Sequence, residues 1–294
     1  MTFADWEKTF PDETACSAYL ARHRWHSVVR CPRCGNDKVK PHGTMEFAWL
    51  CNECSPSSTN YRFSVIAGTI FENTNKPLRD WFRVIHLMLT SKKGISALQI
   101  QRMTGFGSYR TAWYMCHRVR AGLANEEFRK LIGYVEVDET YIGGKDHNRH
   151  VGKKHGRDTK GFDPLKFAVI GAVERGGNVV ARVLGKVNAA TMQGFIREVV
   201  STDVSLLSTD EHLAHQHLKA EYPHGRVNHS AKKYVVGALH TNTIEGFWSL
   251  IKRGVMGSYH KVSRKYLPLY VAEFQFGYNN RLNADIFGEA IRGC

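Results

Sequence analysis

The stretch 240–253 combines an apolar stripe with a polar edge. Its apolar residues recur at i, i+3, i+4 and i+7, the spacing of one helix face, and are Ile244, Phe247, Trp248 and Ile251. We therefore predict a helix, with Thr241 or Thr243 as its amino-terminal cap. Seven residues span about two helical turns, so this helix presents Glu245 and Lys252 on the same side.

Alternation of apolar and polar residues predicts two strands that each carry an aspartate toward the carboxyl end. The first strand covers 134–140 and the second covers 204–210. Asp138 lies near the end of the first strand, and Asp210 ends the second. Within the first strand, Glu136 shares the face of Asp138, so it remains an alternative to Asp138 as the functional acid.

The other patterns in the carboxyl-terminal part of the chain complete an α/β domain. Strands are predicted at 167–173 and 178–184, joined by a glycine pair that suits a hairpin, and a helix is predicted at 188–200. A helix that ends at Tyr222 and a short strand near Val227 follow, and further helices close the chain. This periodicity supports an α/β domain but does not select a particular fold.

Two helical patterns separated by a glycine-containing turn lie upstream. The first begins at Ile95, the turn covers 105–108, and the second helix continues from Tyr109. This arrangement has the form of a helix-turn-helix, whose second helix enters the major groove of DNA. An ordinary helical hairpin is the alternative.

Positive charge is concentrated in the middle of the chain. The sequence carries a formal charge of +14, and residues 61–130 contribute 12 basic and 4 acidic side chains, a local excess of +8. Such an excess attracts polyanions, which favours DNA contacts by Arg110, Arg118 and Arg120 in the second helix. A soluble basic protein without a polyanionic partner is the alternative, because charge alone does not identify a ligand.

A second basic stretch, 145–166, follows the Asp138 strand. It holds seven lysines and arginines among glycines and histidines, a composition that suits phosphate contacts, and we predict DNA contacts for Lys153 and Lys154. A solvated loop without such contacts is the alternative.

Two matched cysteine pairs predict a metal site near the amino terminus. Cys31 and Cys34 form the first CxxC pair, Cys51 and Cys54 form the second, and 16 residues separate the pairs. Four thiolates complete a tetrahedral zinc shell with no position for water, so one structural zinc is expected. A redox pair is the alternative, and the matched spacing of two pairs argues against it.

Several of these segments together resemble the DDE transposases of bacterial insertion sequences, in particular the ISXO-like group with an amino-terminal zinc ribbon. Asp138 and Asp210 are 72 positions apart, and Asp210 and Glu245 are 35 apart. The matching motifs are Val137 to Lys145, Thr209 to Glu211, and His240 to Gly246 with Lys252. With the ribbon, the resemblance covers nearly the whole chain.

The resemblance implies a ribonuclease-H-like catalytic domain that acts on double-stranded DNA, binding terminal inverted repeats and cutting and joining strands. It implies that Asp138, Asp210 and Glu245 hold two Mg²⁺ or Mn²⁺ ions, with Asp138 bridging both. Two such ions stabilise the attacking and leaving oxygens, and they relieve the repulsion among crowded carboxylates. Lys252 would hold substrate phosphate, together with Arg253. A homodimer or larger assembly is expected, since two DNA ends must be joined.

The expected domains are helices and a zinc ribbon at 1–60, a basic helix-turn-helix-like module at 61–130, and the α/β catalytic domain at 131–294. No apolar run approaches the roughly 18 residues of a membrane span, so we expect no membrane association and a cytoplasmic, nucleoid-associated bacterial protein. Two other functions remain open: a non-catalytic DNA-binding regulator derived from a transposase, and a ribonuclease-H-like nuclease.

Overall fold

The computed structural model describes residues 1–54, 61–124, 129–143, 166–209, 218, 220–226 and 240–294. The chain forms two compact units. The first comprises Met1–Ala124 with Leu282–Cys294, and the second comprises Asn125–Arg281. None of the described helices is both long and apolar enough to span a membrane.

The first unit begins with two helices and a small antiparallel sheet. The helices are α1 (Phe3–Thr9) and α2 (Glu13–Trp25), and the strands are β1 (Val39–Pro41), β2 (Ala48–Cys51) and β3 (Tyr61–Ser64). The strands pair in the order β1-β2-β3. Trp25, Trp49 and Phe63 pack beside this sheet, so aromatic burial supports a module that is too small to have a large core of its own.

Three helices follow in the first unit: α3 (Leu78–Thr90), α4 (Ala97–Thr104) and α5 (Tyr109–Gly122). Ser96 caps α4, Gly105 ends it in the left-handed conformation with φ of 73°, and Ser108 caps α5. A short turn therefore separates two capped helices that pack on α3. The two predicted helices and the turn between them are observed, and their role as a DNA-binding helix-turn-helix stays a prediction.

The second unit is built on a five-stranded mixed sheet. Its strands are β4 (Tyr134–Gly143), β5 (Lys166–Glu174), β6 (Val179–Val183), β7 (Leu206–Thr209) and β8 (His224–Arg226). Their order is β6-β5-β4-β7-β8; the β6-β5-β4 part is antiparallel, and β7 and β8 continue parallel to β4. These strand directions are those of a ribonuclease-H-like domain, so the predicted fold class is confirmed.

Helices cover both faces of this sheet. The helix α6 (Ala189–Val199) packs on one face together with Val135 and Val137 of β4. The helices α7 (Asn242–Gly254) and α8 (Leu267–Asn279) pack on the other face. Because side chains alternate along a strand, Glu136 and Asp138 point toward the α7 side. A π-helix, Val255–Tyr259, extends α7.

The outer edge of β6 is covered by side chains of α8. The Asn279 amide accepts from the backbone N–H of Val179 at 2.8 Å and donates to its carbonyl at 3.0 Å. Gln275 accepts from the backbone N–H of Ala181 at 2.8 Å. These amides occupy the backbone groups that a neighbouring strand would otherwise pair with.

The compact units differ from the predicted domain boundaries at two places. The ribbon and the helical module, predicted as separate domains, lie within one unit. The last helix, α9 (Ile286–Gly293), belongs to that unit rather than to the α/β domain. Its Phe287 packs against Phe10, Tyr19 and Phe82, so burial of an aromatic ring determines where this segment lies.

Candidate active site and zinc centre

A cleft of about 700 Å³ opens between the middle of β4 and the helix α7, because β4 continues past Asp138 to Gly143. It brings together two of the three predicted acids and two of the predicted phosphate-binding cations. The lining residues are Asp138, Glu139, Thr140, Glu245, Trp248, Ser249, Lys252, Arg253, Met256 and Gly257. The helical spacing predicted from the sequence thus places Glu245 and Lys252 in one cleft with Asp138.

Asp138 is held by a hydrogen bond from the helix opposite. It is half-buried on β4, and the indole N–H of Trp248 donates to its Oδ2 at 3.1 Å. Trp248 has room for this contact because Gly171, the residue paired with Asp138 on β5, has no side chain. A Cβ at Gly171 would lie 2.6 Å from Cη2 of the indole. The hydrogen bond fixes the orientation of the Asp138 carboxyl group.

Glu245 lies in the first turn of α7 and is exposed to the cleft. The Thr241 hydroxyl donates to its Oε1 at 2.9 Å, which limits the rotation of the side chain. A carboxylate in a first turn is also stabilised by the positive end of the helix dipole. Lys252 and Arg253 are exposed in the last turn of the same helix, so the cleft holds negative and positive groups on one element.

Glu136, the alternative acid on β4, is fully buried. Its Oε1 accepts from Arg175 Nε at 2.6 Å and from the Thr243 hydroxyl at 2.9 Å, and it lies 3.0 Å from His240 Nδ1. Its Oε2 accepts from the backbone N–H groups of Thr243 at 2.8 Å and Ile244 at 3.0 Å. Four hydrogen-bond donors match the roughly four lone-pair sites of one carboxylate, which leaves no oxygen for a metal.

The third predicted acid, Asp210, lies outside the described residues, as do Lys153 and Lys154. The structure describes β7 as far as Thr209, and this strand runs parallel to β4 with Ser208 paired to Glu136.

The three arginines predicted to contact DNA from α5 differ in exposure. Arg110 is exposed in the first turn. Arg118 is half-buried and donates to the carbonyl of Glu72 at 3.1 Å and to the Tyr114 hydroxyl at 3.0 Å. Arg120 is 2% exposed. A guanidinium buried to this degree does not reach a DNA phosphate, so we assign Arg120 to the packing of the helical module.

The four predicted zinc ligands converge in the small sheet of the first unit. Their sulfur atoms all lie within 4.8 Å of one another, with Cys31 and Cys54 at 3.6 Å and Cys34 and Cys51 at 3.6 Å. Tetrahedral zinc with Zn–S bonds of about 2.3 Å requires sulfur separations of about 3.8 Å, so the cluster fits the metal.

Burial raises the pKa of the Cys31 thiol, but hydrogen bonds from the backbone N–H groups of Cys34 and Arg33 and from the Cys54 and Cys34 side chains together lower it to about 7. In contrast, burial raises the pKa of Cys51, and the hydrogen bond with Cys34 raises the pKa of Cys54. The fold therefore favours a thiolate at Cys31, and zinc binding must release the protons of Cys51 and Cys54.

Comparison with known proteins gives a family match for each of two parts of the chain. Residues 130–279 match the family described as the ISXO2-like transposase domain. The chain belongs to this transposase family. Residues 11–57 of the transposase match the transposase zinc-ribbon domain, which, with the four clustered thiols, supports one structural zinc. The predicted family resemblance is confirmed.

One relative and one solved structure illustrate the range of similarity. The transposase is 27% identical over 278 residues to an uncharacterized protein in transposable element ISH50 of Halobacterium salinarum, and the match covers 91% of each chain. A chain from the simian T-cell lymphotropic virus intasome in complex with PP2A regulatory subunit B56 gamma is 14% identical, with 67% of this chain and 65% of that chain covered. Its TM-score of 0.31 is too low to indicate a shared fold.

Sequence reasoning missed the residues that hold the two acids of the transposase cleft. Trp248 was predicted only as part of an apolar face, yet its indole N–H reaches Asp138. A glycine inside a buried strand was the available signal, because Gly171 indicates close approach by another group. Thr241 was predicted as a cap, but its hydroxyl bonds to Glu245 instead.

Proposed function

We propose that this transposase cuts DNA at the ends of its element and joins those ends to target DNA, using two divalent ions. The observation that carries the proposal is the cleft in which Asp138 and Glu245 meet Lys252 and Arg253. Carboxylates suit Mg²⁺, and adjacent cations suit the phosphates of a DNA strand.

The cleft residues fit a Mg²⁺ or Mn²⁺ site. Asp138 and Glu245 offer hard oxygen ligands, and Asp210 is the third ligand by its place in the sequence motif. Two divalent ions would supply charge stabilisation for the attacking and leaving oxygens of the phosphodiester. Asp138, Asp210 and Glu245 would together hold these ions.

Protein groups around the cleft prepare these acids and hold the substrate. Trp248 fixes the orientation of Asp138, and Thr241 fixes that of Glu245. Lys252 and Arg253 hold the phosphate of the strand to be cut, because both cations are exposed on the cleft wall. Phosphoryl transfer mainly requires positioning and electrostatic stabilisation. In this proposal, residues of β4 and of α7 with its cap supply both.

DNA capture is assigned to the basic helical module. Residues 61–130 carry an excess charge of +8, and the exposed Arg110 begins the second helix of the helix-turn-helix. Arg118, Lys153 and Lys154 remain proposed phosphate contacts. Because two element ends must be joined, we propose that a homodimer or larger assembly forms on the DNA.

A cleavage assay with a matched control tests the proposed site. Purified protein is incubated with a labelled duplex spanning one end of its source element, in Mg²⁺, Mn²⁺ or chelator. We expect cation-dependent nicking at the element boundary and joining to target DNA. Asp138→Asn should abolish both while DNA binding survives, and Asp203→Asn, an exposed aspartate outside the cleft, should leave both unchanged.

Three outcomes would contradict the proposal. Normal cutting by Asp138→Asn would show that the assigned site is wrong. Tight binding without cleavage in any cation would indicate a DNA-binding regulator. Cleavage that ignores the element ends and gives no joined product would indicate a nuclease.

A further inference from the structure

We propose that Glu136 is a positioning residue that fixes the first turn of α7 and thereby sets the separation between Asp138 and Glu245. This inference rests on the proposed function, in which those two acids hold metal. It gives a role to a buried carboxylate beside the cleft that the proposed reaction does not use.

The amino terminus of α7 depends on Glu136 for its hydrogen bonds. The first N–H groups of a helix have no partner within the helix and are usually satisfied by the cap side chain. The N-cap residue of α7, Thr241, makes no side-chain cap hydrogen bond. Glu136 takes over this role from β4, since its Oε2 accepts from the N–H groups of Thr243 and Ile244.

A second set of contacts holds His240, which lies just before the helix α7. Arg175 donates through Nε to Glu136 and through Nη2 to the carbonyl of His240 at 3.1 Å. His240 Nδ1 itself lies 3.0 Å from Glu136. The buried carboxylate is therefore paired and hydrogen-bonded on all sides, which a buried charge requires.

The path from one proposed metal ligand to the other is short and passes through this carboxylate. Glu136 is two residues before Asp138 on the same face of β4, and Ile244 immediately precedes Glu245 on α7. A shift of the first turn away from β4 would carry Glu245 away from Asp138. Supporting contacts of this kind commonly change metal affinity or activity 10- to 100-fold when they are removed.

Glu136→Gln tests the proposal, with Glu198→Gln as matched control. Glu198 is also paired to an arginine, Arg182, through 2.7 Å contacts, but it is exposed and outside the cleft. Three quantities are measured on the full chain: hydrogen exchange of the peptide 241–247, Mn²⁺ affinity by electron paramagnetic resonance, and cation-dependent cleavage. For Glu136→Gln we expect faster exchange and losses of Mn²⁺ affinity and cleavage rate on the order of 10- to 100-fold. DNA binding in chelator should be retained, and the control should match the wild type.

The outcomes show whether Glu136 positions α7, binds the metal itself or has no effect on the site. Unchanged exchange and unchanged Mn²⁺ affinity in Glu136→Gln would overturn the proposal. Unchanged exchange with complete loss of Mn²⁺ binding would also overturn it, because Glu136 would then be a ligand. If this variant does not fold, Thr243→Val carries the test, since it removes one hydrogen bond to Glu136. Wild-type cleavage by Asp138→Asn would instead refute the proposed function. The hydrogen-exchange result would still show whether Glu136 holds the first turn of α7.

Discussion

Replacing Gly171 by alanine tests how closely α7 packs on β5. The new Cβ would lie 2.6 Å from Cη2 and 2.8 Å from Cζ2 of Trp248, and 3.2 Å from Cδ1 of Ile244. Carbon atoms pack at about 3.5 to 4.0 Å, so the indole or the helix must move by about 1 Å. Such overpacking costs about 1 to 3 kcal/mol of unfolding free energy. The movement also draws the indole N–H away from Asp138.

A double-mutant cycle with Trp248→Phe isolates the clash. The phenyl ring lacks the two indole atoms that the new Cβ would meet, so alanine at Gly171 should be tolerated better in the Trp248→Phe background. Trp248→Phe alone loses a hydrogen bond to a charged group, which costs about 1.5 to 3 kcal/mol, and leaves a cavity. We expect a coupling energy of about 1 to 3 kcal/mol between the two substitutions.

Equilibrium urea unfolding of the zinc-loaded full chain, followed by far-ultraviolet circular dichroism, measures these energies. Gly194→Ala is the matched control, because a Cβ at this exposed position of α6 would meet no atom within 4 Å. Alanine is the better helix former, so the control should gain about 0.5 to 1 kcal/mol. Wild-type stability of Gly171→Ala, or full additivity with Trp248→Phe, would refute the packing argument.

Two further predictions concern the first unit. Burial lowers the pKa of His86 below the unfolded value of 6.5, so the unfolded chain takes up the proton first as pH falls. The contribution of neutral His86 to the free energy of unfolding should be present above pH 6.5 and should be lost as the pH falls below it. Urea midpoints measured between pH 7.5 and 5.5 should therefore fall less in His86→Leu than in the wild type. Removing zinc with a chelator should unfold the ribbon, because metal binding supplies its folding free energy. Metal analysis should find one zinc per chain, lost in Cys34→Ser, and an unchanged melting curve after chelation would contradict this.

Patterns that depend on neighbouring residues could be predicted from the sequence. The helix predicted in 240–253 is observed at Asn242–Gly254, and the strand predicted at 134–140 is observed at Tyr134–Gly143. An apolar stripe and an alternating strand are local properties of the chain, so periodicity finds them. The same reasoning placed Glu245 and Lys252 on one side of the helix, and both line the cleft.

Contacts between distant residues could not be predicted in this way. The cap of α7 was predicted as Thr241 or Thr243, whereas the acceptor for the helix N–H groups is Glu136, 107 positions before Thr243. The match between that carboxylate and the helix end exists only after β4 and α7 have packed together. Local periodicity also carried no signal that Phe287 packs in the first unit.

The amide side chains on β6 have a consequence for how copies of this transposase can associate. Asn279 already occupies the outward N–H and carbonyl of Val179, and Gln275 occupies the N–H of Ala181, so these three groups are not available to a second chain. A second copy that extended the sheet along β6 would first have to displace these amides, so sheet extension at this edge competes with the packing of α8.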